Sequence, residues 1–175
     1  MSFLAERDMA VHALEFQGPG IRPDFPSAAA RIRAAREAMG LSVEDAARRC
    51  GVDSSTYMDL ELSDSAVFTD VALGRLQIVA GALGLGLLSL LFGEEPMRDI
   101  VPITFPYAAR ILAANVADDP SLLERASQAA RCDLQLVFSD NSALAALTVR
   151  GAFGLCRLLG LDWIGLLAAV SAGAA

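Results

Sequence analysis

The stretch Arg36–Glu61 constrains the fold more than any other part of the chain. Gly40 ends one apolar-periodic run, and Ser42 is placed to cap the next, with Asp45 three residues on as its capping-box partner. Gly51 closes that second run, and Asp53 offers a cap for a third. Three helices are expected, the last two short and joined by a tight glycine turn. That is the sequence form of a helix-turn-helix.

The rest of the composition agrees with helices. Hydrophobic residues make up 54% of the 175 and aromatics only 6%, with Ala, Leu and Gly dominant. This favours closely packed helices over a β-sandwich, so an all-α protein is expected. Every one of the 14 basic residues is arginine, and the net charge is −7. That is the wrong sign for a protein held to DNA by broad phosphate attraction, although a local basic face can coexist with an acidic remainder.

Several classes of function find no support. Cys50, Cys132 and Cys156 form no CxxC pair and His12 is the only histidine, so no metal ligands stand in a usual spacing. Buried thiols in a reducing cytoplasm are the simpler reading, and the N-terminus lacks the basic-then-apolar layout of a signal peptide. A cytoplasmic location is expected. The 18 residues Leu76–Gly93 carry no charge, the lower limit for a bilayer span. Gln77, Gly81, Gly84 and Gly86 interrupt them, so two core helices meeting near Gly84–Gly86 are expected, with no membrane. No carboxylate pair, nucleophile–base pair or phosphate loop stands out. Neither an enzyme, a cofactor nor a small-molecule ligand is expected.

In order, residues 1–24 read as an N-terminal helical arm, amphipathic over 2–16. Residues 25–93 read as a five-helix domain. Its first helix carries Ile32, Ala35 and Met39 on one side. Thr69 is expected to cap the fourth helix, with Val71, Leu76, Ile78, Val79 and Leu83 as core candidates, and Leu87–Phe92 forms the last. Residues 94–104, with Glu94-Glu95-Pro96 and Val101-Pro102, read as a linker.

Residues 105–175 read as a diverged second copy. Phe25-Pro26-Ser27-Ala28-Ala29-Ala30-Arg31-Ile32 returns as Phe105-Pro106-Tyr107-Ala108-Ala109-Arg110-Ile111, one alanine shorter. Ser42…Asp45 has a counterpart in Ser121…Glu124, and Ala47-Arg48-Arg49-Cys50 in Ala129-Ala130-Arg131-Cys132. Leu83-Gly84-Leu85 matches Leu159-Gly160-Leu161. The third helix of this copy is expected through Gln135–Phe138, where it is apolar enough to be buried.

Residues 31–92 resemble the Cro/C1 repressor type of helix-turn-helix domain, the XRE family. Gly40-Leu41-Ser42, Ala46-Ala47, Gly51-Val52, Ser55-Thr56, Leu60-Glu61 and Leu76-x-x-Val79-Ala80-x-Ala82-Leu83-Gly84-Leu85 carry the resemblance. It implies two tandem five-helix bundles, the second degenerate, and a DNA-binding regulator. It also implies an ion pair between Arg36 and Glu61 that ties the first helix to the end of the recognition helix. Asn115 and Ala143 stand near those positions in the second copy, so both halves of the pair are lost there. Ser42 and Val43 fall where the second helix points its amino end at a phosphate.

The DNA-facing candidates are Arg33, Ser42, Val43, Arg49, Ser54, Ser55, Thr56 and Asp59, with Arg31, Arg48 and Arg75 nearby. Direct base readout favours Arg, Lys, Asn or Gln, and the recognition helix has none of these. Two functions follow. One is a transcriptional regulator on double-stranded DNA, acting as an intramolecular pseudo-dimer or a homodimer. The other is a helix-turn-helix scaffold that binds a transcription factor or another protein.

Overall fold

A computed structural model describes residues 27–93 and 100–172. The expected N-terminal arm, with His12, and the linker residues 94–99 lie outside the described residues. The described chain is all-α. Helices α1 (Ala28–Ala38), α2 (Val43–Cys50) and α3 (Ser54–Leu62) come first, then a π-helical turn over Ala66–Asp70. Helices α4 (Leu73–Ala82) and α5 (Leu87–Phe92) end the first half. The second half runs α6 (Phe105–Asp118), α7 (Leu122–Ala130), two 3-10 turns (Gln135–Phe138 and Asn141–Ala146), α8 (Val149–Leu159) and α9 (Trp163–Ser171).

Local signals set most boundaries of the first half. The Ser42 hydroxyl accepts from the Asp45 N–H at 3.1 Å and donates to its carboxylate at 2.8 Å. Asp53 accepts the Thr56 N–H at 2.8 Å. Gly51 ends α2 at φ +66°, a left-handed conformation that glycine adopts without a Cβ penalty. The uncharged stretch breaks where its glycines stand, between α4 and α5, and no helix among the described residues is long and apolar enough to cross a membrane.

One hydrophobic cluster runs through both halves, from Ile32, Tyr57 and Leu76 to Leu112, Leu155 and Leu167. Trp163 joins elements across it, meeting Phe92 edge-on at 5.8 Å and Phe153 at 5.4 Å. Residues 100–104, expected within the linker, lie against α9: the Ile103 N–H donates to the Gly165 carbonyl at 2.8 Å. Ala72 and Thr148, the residues just before α4 and α8, form an isolated antiparallel bridge. Beside it the Leu73 N–H donates to the Leu147 carbonyl at 2.7 Å.

Four expectations need correction. Thr69 does not cap α4; it lies in the π-helical turn and donates to the Ser65 carbonyl at 2.8 Å. No side chain caps α4, whose first N–H is satisfied instead by Leu147 from the other half. Ser121 makes no capping box with Glu124, because its own backbone is helical and its hydroxyl goes to Asp119 at 2.7 Å. Met39 and Ile78 are exposed, the latter because the buried stripe of α4 is Leu73, Leu76, Val79 and Ala80. Gln135–Phe138 is a 3-10 turn that buries only Val137, leaving Leu136 and Phe138 at 63% and 44% exposure. With three residues per turn, successive side chains of a 3-10 turn point about 120° apart, so with Val137 inward its neighbours Leu136 and Phe138 point away from the core.

Candidate functional site

Helices α2 and α3 are held as a unit by α1. Arg36 reaches from α1 to Glu61 in the last turn of α3, with Nε donating to Oε1 at 2.6 Å and Nη2 to Oε2 at 3.0 Å. Its Nη1 also bonds the Leu41 carbonyl at 3.0 Å, so one guanidinium clamps the turn before α2 and the end of α3. Glu61 is buried at 6% exposure. Two parallel bonds in this geometry are the strong form of a charge-assisted pair, and they raise the Arg36 pKa. Tyr57 is buried beside it, and burial together with the Glu61 charge pushes its phenol pKa up.

Arg33 belongs to the same clamp. Its Nη2 donates to the Glu61 carbonyl at 2.7 Å, and its Nε lies 3.9 Å from the carboxylate. It therefore caps the carboxyl end of α3 and complements that helix dipole.

The outward surface is acidic at both helix starts. At α2, the Ser42 hydroxyl donates to Asp45, and Arg48 pairs with the same carboxylate at 2.7 Å. These bonds, Ser42 first and then Arg48, hold Asp45 below the usual carboxylate range. Glu44 and Asp45 thus put negative charge in the first turn of α2, where the helix dipole favours it. Val43 packs against the core.

At α3, Asp53 accepts from the Ser55 hydroxyl at 2.5 Å, the Thr56 hydroxyl at 2.7 Å and the Thr56 N–H at 2.8 Å. These three donors hold its carboxyl far below the ordinary value. Ser55 and Thr56 thus spend their protons on their own cap. Asp59, Met58 and Leu62 remain exposed on α3, the last two at 48% and 66%.

The other arginines divide. Arg31 turns to α5, donating to the Leu90 and Leu91 carbonyls at 2.8 and 2.6 Å, and burial lowers its pKa. It takes no part in a ring around α3. Arg75 caps α2 through the Gly51 carbonyl at 3.0 Å. Arg49 is exposed on α2. The structure thus brings Arg33, Arg36 and Glu61 together, and Asp53, Ser55 and Thr56 together. It directs Arg31 elsewhere.

The Asp53 cap was expected from the sequence, but its closure on the Ser55 and Thr56 hydroxyls was not, although the signal was there: an aspartate followed at two and three positions by hydroxyls closes on itself. Compared with protein-family models, with curated proteins and with solved structures, the chain matches none.

Proposed function

We propose that this chain is a helix-turn-helix-derived protein-interaction module, using the outward face of α3 to bind a component of the transcription machinery. One observation carries the reading. The hydroxyls of α3 are closed on Asp53 while Met58 and Leu62 stand exposed one turn apart beside Asp59. An acidic rim around two apolar side chains suits a partner surface with basic and apolar groups. It is a poor match for a polyanion. Replacing Met58 or Leu62 by Asp should abolish stoichiometric capture of a partner from source lysate while leaving the helical circular dichroism unchanged. Retained capture in both variants would sink the reading.

The second reading is a DNA-binding regulator, favoured by the clamp that pins α3 with its far side outward. Here Ser54, Ser55, Thr56 and Asp59 would face the groove, with phosphate contact from Arg49 and the start of α2. The antiparallel pairing of Ala72 with Thr148 supports an intramolecular pseudo-dimer in this reading. Equivalent positions meet in that way across a two-fold axis. The π-helical turn packs on α8 as the Asn141–Ala146 turn packs on α4, which is the reciprocity a tandem duplication would leave.

Selection from random duplexes at low salt separates the two. Enrichment of one sequence, with one chain bound per duplex and binding weakened by Arg49→Glu, favours DNA. Arg33→Glu is the poorer probe because Arg33 also holds Glu61.

A further inference from the structure

Met58 and Leu62, one turn apart on α3, are 48% and 66% exposed, and Asp59 is exposed beside them. Two apolar side chains at i and i+4 next to a carboxylate make a small mixed patch. A segment that covers it needs an apolar stripe with a cation set into it. Residues 2–16 have that pattern. At the helical period Phe3, Leu4, Val11 and Leu14 fall within one arc of about 100°, and Arg7 falls in its middle. Glu6, Asp8 and Glu15 fall outside the arc. Burying a cation in an apolar stripe is costly unless a carboxylate meets it, and Asp59 stands where one is needed.

The path of the chain favours the same contact. At the start of α1 the Ala29 N–H donates to the Asp64 carboxylate at 2.8 Å. Asp64 lies two residues beyond Leu62, so the chain enters α1 beside the end of α3. Residues 17–26 make the connection, and Gln17-Gly18-Pro19-Gly20 is a turn signal that suits a change of direction. That connection can reach about 33–36 Å when extended, whereas α3 is only about 14 Å long. A tether of this size holds a segment at an effective concentration of about millimolar. A contact too weak to form between separate molecules can then form within one.

We propose that residues 2–16 fold back as an amphipathic helix onto the outward face of α3, their apolar stripe on Met58 and Leu62 and Arg7 on Asp59. The chain thereby masks its own binding face until a partner displaces the arm. The masking rests on the reading of α3 as a partner site; the contact itself does not.

The test is the initial rate of methionine oxidation by dilute hydrogen peroxide in the full chain, read by peptide mass spectrometry. Met39, 37% exposed where α1 ends, is the internal reference. With α3 uncovered, the more exposed Met58 should react at least as fast. The expected result is a Met58 rate about threefold or more below that of Met39. Val11→Asp and Arg7→Glu should each raise the Met58 rate to that of Met39 or above and leave Met39 as it was. Asp59→Arg should do the same alone, yet restore protection when combined with Arg7→Glu. A general loosening of the fold would not give that rescue.

Four results would overturn the proposal. These are a Met58 rate in the parent equal to that of Met39, a rate unchanged by the arm variants, release without rescue by the swapped pair, or protection that grows with protein concentration alongside a dimeric mass in sedimentation. The last would place a second copy of the chain on this face. Failure of the partner reading shows in the capture assay instead and leaves these oxidation rates unaltered.

Discussion

Arg36 and Glu61, 25 residues apart, are joined by two hydrogen bonds of 2.6 and 3.0 Å in a nearly buried setting. This contact fixes the angle between α1 and α3 and thereby the face that α3 turns outward. Removing Arg36 leaves the buried Glu61 carboxylate with only the longer 3.9 Å contact to Arg33. Arg36→Met should destabilise the protein by about 3 kcal/mol, the usual scale for a broken buried pair. The double variant Arg36→Met/Glu61→Leu should cost less than the sum of the singles. Urea unfolding of all four proteins reads the coupling, and strict additivity would refute the clamp.

The Asp53 cluster gives a prediction that bears on nucleic acid. Asparagine is as good an N-cap as aspartate, so Asp53→Asn should keep α3 while removing a charge from its outward end. Non-specific binding to duplex DNA at low salt should rise several-fold, measured by fluorescence anisotropy. No change would mean that this end of α3 never approaches the duplex.

Stability should fall on both sides of neutrality. The folded-state pKa of Asp45, Asp53, Asp119 and Asp140 is depressed by hydrogen bonds from nearby hydroxyl, backbone or arginine groups. Their contribution is therefore present above the unfolded value of about 3.9 and lost as pH drops through the folded values. Cys50, Cys132 and Cys156 shift the other way by burial, Cys156 pushed up to about 12, and Tyr57 is raised as well. Stability is intact below the unfolded values, about 8.5 for the thiols and about 10 for the phenol, and declines as pH climbs from there toward the folded values. A melting-temperature profile should show a plateau between about pH 5 and pH 8. Asp53→Asn should flatten the acid limb.

Two glycines predict opposite outcomes from the same substitution. Gly81 lies inside α4, exposed, and a Cβ added there would meet nothing within 4 Å. Gly81→Ala should stabilise by about 0.5–1 kcal/mol. Gly154→Ala drives a methyl to 2.5 Å from the Ala129 carbonyl, and should destabilise by about 1–3 kcal/mol. Thermal melts of the two variants should move in opposite directions.

By itself the sequence determined the features that depend on neighbours in the chain. Ser42, Gly51 and Asp53 place α2 and α3 because a cap or a left-handed turn closes over three or four residues. Gly84 and Gly86 likewise divide the uncharged stretch into α4 and α5. The Arg36–Glu61 contact was legible only through the family resemblance, since nothing local joins residues 25 apart.

The tertiary structure alone decided where the other long side chains went. Arg31 found the Leu90 carbonyl 59 residues away, and the first N–H of α4 found Leu147 rather than a capping side chain. Leu136 and Phe138, apolar by type, were left outside by the geometry of a 3-10 turn. Gly151 and Gly154 let α8 meet α7 at backbone distance, at the carbonyls of Ala130 and Ala129. That closeness depends on which faces of α7 and α8 pack together, and no spacing within either helix encodes it.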